Sequence, residues 1–162
     1  MTDEQDTALV AFLNDGALPG LRGPTAAERR RLDALRELLN HLADTVAAGG
    51  ALSQAELAAL NEVTGRLPVR ARLVAKRDGG YVVDFTPVGG VWVDRVEREL
   101  SGAFGSILRR SRPPRLKRCA DESCRRVFYD ATRSRTRRWC DSGTCGNRAR
   151  VRRHRSRSAG TA

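Results

Sequence analysis

Several things are scarce in this chain, and each scarcity narrows its function. Long apolar runs are missing: no window approaches the ~20 apolar residues of a transmembrane helix, so no membrane partner is expected. The opening MTDEQDTALV is acidic and has neither a cationic nor an apolar leader segment, which predicts no secretory signal and a cytoplasmic protein. Histidine occurs twice, as His41 and His154, and cysteine four times, all within residues 119–145. With the cysteines committed to one cluster, a metal-dependent catalytic site is hard to assemble, and no nucleophile–base pair is visible. The chain reads as a non-enzyme. No internal repeat occurs, and neither Gly-Gly pair has the spacing and following Lys of a phosphate loop. Aromatics are 5% of the residues and Met occurs once, yet 40% apolar and 30% charged residues leave a compact core possible and exclude wholesale disorder. At 162 residues the chain has room for one ordinary domain, or a small domain plus a smaller module.

Acidic residues are scarce in the last third. Residues 1–108 hold 12 Lys/Arg against 15 Asp/Glu, whereas residues 109–162 hold 18 against 4, so the net charge of +11 belongs to the C-terminal part. A basic segment without an apolar insertion face points to nucleic acid rather than a membrane surface.

Residues 7–13, TALVAFL, read as a short first helix ending at Asn14-Asp15-Gly16. A Gly- and Pro-containing loop, residues 16–24, follows. Thr25-Ala26-Ala27-Glu28 is a capping box, in which hydroxyl and carboxylate satisfy orphan N–H groups at a helix start. Behind it Leu32, Leu35, Leu39, Leu42 and Val46 recur at helical spacing as far as Gly49-Gly50. Ser53-Gln54-Ala55-Glu56 repeats the signature ahead of Leu57, Leu60 and Val63. The period then switches: residues 70–76, the turn Asp78-Gly79-Gly80 and residues 81–86 predict a β-hairpin. Val93, Val96, Leu100, Phe104 and Ile107 predict a further helix, weakened by Gly102 and Gly105. The fold class expected is α+β: a small, mainly helical domain with one hairpin over 1–108, a basic Pro-containing linker over 109–116, a metal-bound finger over 117–157 and a disordered tail over 158–162.

The finger rests on Cys119-x4-Cys124, fifteen intervening residues, then Cys140-x4-Cys145. Four thiolates complete a tetrahedral Zn²⁺ shell, and two short loops joined by a hairpin-length span let the chain wrap one ion. A closed shell leaves no open position for water, so the zinc would be structural. Disulfides, an iron–sulfur cluster and four unrelated thiols are the alternatives, the first disfavoured by compartment. So small a module cannot bury enough apolar surface alone, so the metal should supply much of its folding free energy. Val127, Phe128, Tyr129 and Trp139 are its expected core, packing being favoured over base stacking.

No helix breaker occurs between Cys145 and Gly160. If a helix starts near Cys145, Arg148, Arg152 and Arg155 share one face, and Arg150, Arg153 and Arg157 a neighbouring one. So many like charges destabilise an isolated helix unless phosphates neutralise them. Arg133, Arg135, Arg137 and Arg138 add a basic loop. Arg rather than Lys suits bidentate contact with phosphate or guanine.

Arg138-Trp139-Cys140, then Cys145-Gly146-Asn147-Arg148 and the Arg-rich stretch with His154-Arg155, closely resemble the CGNR zinc finger. Arg118, Cys119, Cys124, Phe128, Asp130 and Arg137 also fall where that pattern expects them, whereas Asp141-Ser142-Gly143-Thr144 departs from its Ser-Met type of filler. The resemblance implies a treble-clef-like fold, Cys119, Cys124, Cys140 and Cys145 as zinc ligands, and Asn147 and Arg148 as capping or contact residues. It also implies a DNA-binding role in bacterial transcriptional regulators. Residues 1–108 resemble the ABATE domain that precedes this finger and is described as a stress-induced transcription regulator. Leu13-Asn14 stands at its Leu-Asn-Thr element, with Asp15 in place of Thr. The expected function is therefore zinc-dependent DNA binding in transcription, with the N-terminal domain sensing a ligand, forming a homodimer or recruiting a partner. An RNA- or ribosome-associated protein and a zinc-dependent protein-interaction module are the alternatives.

Overall fold

Helix starts fixed by local chemistry organise the first half. The computed structural model describes residues 3–18, 23–110 and 115–159. Helix α1 spans Asp3–Asp15, α2 Ala26–Ala47 and α3 Gln54–Gly65. Both capping boxes form: Glu28 N donates to Thr25 Oγ1 at 3.3 Å while Thr25 N donates to Glu28 at 2.8 Å, and Ser53 with Glu56 repeats the exchange at 3.2 and 2.7 Å. Helix α2 ends where Gly49 adopts φ +82°, a conformation that costs a side-chain-bearing residue steric strain. The apolar stripe of α2 (Leu32, Leu35, Leu39, Leu42, Val46) is buried.

Helix α1 begins earlier than the apolar stretch indicates. Acidic side chains suit the positive end of a helix, and Asp6 turns inward, 4% exposed, to meet Arg110 at 2.6 Å. Helix α4 (Trp92–Arg110) carries the expected stripe and runs two residues past the anticipated end at 108. Gly102 and Gly105 cost it about 1 kcal/mol each, but both face open space. The buried Val93, Leu100, Phe104 and Ile107 outweigh them at roughly 1.5–3 kcal/mol apiece.

Strands β1 (Val69–Ala75) and β2 (Tyr81–Pro87) form the expected hairpin, with Ala75 opposite Tyr81 and Val69 opposite Pro87. It stands clear of the core: every strand residue except Pro87 is exposed. Gly90, just beyond it, has φ +74°, and a Cβ there would meet Leu67 Cδ1 at 2.4 Å, so the return into α4 requires glycine.

The last third contains the short antiparallel pair β3 (Leu116–Arg118) and β4 (Val127–Tyr129), followed by α5 (Cys145–Ala159). This is an α+β, treble-clef-like arrangement of hairpin and terminal helix. It does not hang free. Leu116 and Val127, 1% and 2% exposed, belong to the same apolar cluster as Leu9, Leu39 and Phe104. Asn14, at the end of α1, donates to Val127 O at 2.9 Å and accepts from Val127 N at 2.8 Å, satisfying a strand residue as another strand would. Arg118 reaches Asp44 at 2.6 Å and Asn40 Oδ1 at 2.8 Å on α2, and Arg126 reaches Asp15 at 2.7 Å. Of the anticipated linker, Ser111, Arg112, Pro113 and Pro114 lie outside the described residues, as do residues 19–22 of the first loop and 160–162 of the tail.

Candidate metal centre and nucleic-acid interface

Two knuckles bring the sulfurs together. In the first, Asp121 O accepts from Cys124 N at 2.8 Å and Arg125 N at 3.1 Å, and Arg125 takes φ +49°, turning the chain back into β4. In the second, Asp141 Oδ1 accepts from Thr144 N at 2.6 Å and Thr144 Oγ1 at 2.9 Å, and Thr144 O accepts from Arg148 N at 2.9 Å, which starts α5. The unusual Asp141-to-Thr144 filler is thus a turn closed on the Asp141 carboxylate that leads directly into α5. Asn147 lies exposed in the first turn of α5.

The four Sγ atoms lie within 4.8 Å of one another, with Cys124–Cys140 at 3.6 Å and Cys140–Cys145 at 3.7 Å. A tetrahedral ion with Zn–S bonds of about 2.3 Å needs sulfurs about 3.8 Å apart, so the donor set fits one zinc. All four cysteines are free thiols rather than disulfides. Burial pushes the Cys140 thiol well above its ordinary value, and the neighbouring sulfurs push it further. A divalent cation is what would draw so crowded a set into thiolates. Cys140 N points at Cys119 Sγ (3.5 Å), and Arg148 Nη2 donates to Cys145 Sγ at 3.1 Å.

Two wholly buried carboxylates brace this site. Asp121 accepts from Arg152 at 2.8 Å, Ser123 Oγ at 2.8 Å and Arg148 Nε at 2.9 Å. Arg152, Ser123 and Arg148 together hold its carboxyl far below the usual carboxylate range. Asp130 accepts from Lys117 at 2.7 Å, from Thr132 N and Arg137 N at 3.1 Å each, and from Thr132 Oγ1. Burial would raise its pKa, but Lys117 and these donors overcome that and bring it to about 2.

The anticipated contact arginines separate into two sets. Arg148 and Arg152, although each remains 53% exposed, are paired to Asp121 on the inner side of α5. Arg137 is also engaged: its Nε donates to Trp139 O at 2.9 Å, it bonds Cys140 O, and its guanidinium lies 5.2 Å from the Phe128 ring. Arg135 is half-buried with φ +53°. Arg133, Arg150, Arg153 and Arg155 are exposed, as is Arg138, which stacks over Trp139 at 5.6 Å. At 100° per residue, Arg150 and Arg153 lie on the side of α5 away from Arg148 and Arg152, and Arg155 continues the inner side. The side chain of Arg157 lies outside those described. Of the expected finger core, Val127 and Phe128 are buried, whereas Tyr129 and Trp139 are half-buried.

Sequence reasoning missed Asp121, the bonding of Asn14 to Val127 and the Arg118–Asp44 pair. A signal for Asp121 did exist: acids are so few after residue 108 that each one is expected to be paired. Three acids of the first 108 residues are engaged as well. Asp94 and the buried Glu97 each meet Arg31 at 2.7 Å, and Asp84 lies 3.7 Å from Arg72. Exposed His41 stands 3.1 Å from Glu56.

Comparison with family models agrees with this geometry. The model for the CGNR zinc finger matches residues 115–158, and that for ABATE, described as "Putative stress-induced transcription regulator", matches residues 4–101. The chain belongs to the ABATE family and carries a CGNR zinc finger. A search of curated proteins found no match to it. In this ABATE protein the Leu13-Asn14 element serves the finger: Leu13 is buried, and Asn14 bonds both polar groups of Val127. It is a zinc-binding protein of a regulatory family, and among its described residues no helix is long and apolar enough to cross a membrane.

Proposed function

We propose that this protein is a non-catalytic, cytoplasmic transcription regulator that binds nucleic acid, DNA in preference to RNA, through the outer side of α5. Cys119, Cys124, Cys140 and Cys145 hold one structural zinc, which fixes the start of α5. The observation that carries the reading is the division of arginines on that helix: Arg148 and Arg152, each still 53% exposed, are tied to the buried Asp121, while Arg150 and Arg153 stand exposed on the other side and pair with no carboxylate among the described residues. A helix braced at one end and cationic along its outer side can neutralise phosphates without first being ordered. Arg133 and Arg138, exposed on the loop before Cys140, extend the same charge. Stress response and nucleoid association rest on the family description and on the charge.

The test is competition between duplex DNA and structured RNA for the zinc-loaded protein at matched salt. The expected result is tighter binding to the duplex, lost when zinc is removed. Equal or tighter binding to RNA would move the protein to the RNA-associated class, and binding to neither would leave the finger as a protein-contact module.

A further inference from the structure

The β1–β2 hairpin is where this protein leaves apolar surface uncovered. Among the described residues eleven large apolar side chains are exposed, and nine of them lie between Val69 and Val91. The strand register sorts them. Side chains alternate along a strand, so Ala71, Leu73 and Ala75 of β1 share one face with Tyr81, Val83 and Phe85 of β2. Val69 and Pro87 pair at the base of that face. It holds no charge and no hydroxyl other than the Tyr81 phenol. The opposite face mixes the exposed Val74–Val82 pair with the polar set: Arg72 lies 3.7 Å from Asp84, and Thr86 donates to Asp84 at 3.0 Å.

We propose that the apolar face is a homodimer interface, covered by the same face of a second copy about a two-fold axis running along the strands. The relief of the face is self-complementary in that arrangement. Across the strands, Phe85 stands opposite Ala71 and Tyr81 opposite Ala75. The β2 side is thus a ridge and the β1 side a trough on either side of Leu73. Rotation about an axis along the strands keeps each residue's height and exchanges β1 with β2. Phe85 then meets the partner subunit's Ala71, and Tyr81 the partner subunit's Ala75, large against small as a packed interface requires. An axis across the strands would instead set ridge on ridge.

Area and charge favour a second copy over other occupants. Leu73 and Tyr81 are 70% exposed, Phe85 56% and Val83 49%. At ~150–250 Å² for a fully covered aromatic and less for Leu and Val, the face offers roughly 500–600 Å² per copy. Two copies would bury about 1,000–1,200 Å², the lower limit of a specific interface. An uncharged face gives a charged partner nothing to select. The hairpin also sits in the half with 12 basic and 15 acidic residues, so two copies can meet there while the strongly basic fingers stay apart. Pairing also answers the marginal stability of a two-stranded hairpin without a covering layer.

The test is sedimentation equilibrium of the full zinc-loaded chain, freed of nucleic acid by nuclease and high salt, over a wide concentration range. The wild type is expected at twice its 17.8 kDa mass. Val83→Lys and Ala71→Glu, both on the apolar face, should weaken dimerisation roughly 100-fold or more. Val74→Lys, on the opposite face and already 40% exposed, should leave it intact. Far-UV circular dichroism should be unchanged in all three. If Val83→Lys fails to fold, Ala71→Glu and dissociation of the wild type on dilution carry the same test. A wild type that stays monomeric throughout overturns the proposal and leaves the face to another protein's strand or a lipid surface. So do dimers of the two face variants as tight as wild type, or a loss in Val74→Lys equal to theirs.

Discussion

Asp121 joins the metal site to the basic helix, because its buried carboxylate holds both Arg148 and Arg152 while its backbone carbonyl shapes the first knuckle. Arg148 completes the link by donating to Cys145 Sγ. Removing a group that supports a metal ligand typically costs 10–100-fold in metal affinity. Arg148→Ala should therefore lose zinc to a chelator on that scale, read as equilibrium competition, whereas Arg150→Ala should retain it. Glu56 provides a pH signature far from the metal. The Ser53 backbone N–H, then the Ser53 and Thr45 hydroxyls, lower its pKa from 4.5 to about 2. A carboxyl whose pKa is depressed in the folded state stabilises above its unfolded value and loses that contribution as pH falls. The cap of α3 should weaken between about pH 4.5 and 2, and Glu56→Gln should flatten the stability–pH curve in that window, as followed by acid titration of helical circular dichroism.

Asn14 acts at the scale of elements. Its amide replaces a missing strand partner for β4, so Asn14→Asp, which puts an acceptor against Val127 O, should be more harmful than Asn14→Ala. The alanine variant should cost about 1–3 kcal/mol, seen as faster hydrogen exchange at the Val127 amide. Local chemistry made other elements readable from sequence. Both capping boxes, the stripe of α2 and the β1–β2 hairpin follow from residues close to one another in the chain, and so did the grouping of the cysteines into two short-spaced pairs. The early start of α1 escaped because Asp6 finds its partner 104 residues away at Arg110. The seating of the finger on α1 and α2 escaped for the same reason. Leu116, Val127 and Arg118 look like parts of a self-contained finger until α1 and α2 are placed against them.

At the scale of the whole molecule, the finger and the helices share one core. Leu116 is 1% exposed among residues of both parts. Leu116→Ala should cost about 2–5 kcal/mol, and it should lower a single thermal transition rather than split it. Zinc removal should lower the melting temperature of the helical half too, since it releases β3 and β4 from α1 and α2.

The central claim is that a zinc-braced α5 meets phosphates with its outer arginines, and the salt dependence of DNA binding tests it most directly. Each phosphate contact contributes about 0.9 to the slope of log K against log salt. Replacing Arg150 and Arg153 together by Ala in the zinc-loaded protein should flatten that slope by about 2. A slope unchanged from wild type in a variant that keeps its zinc would contradict the account.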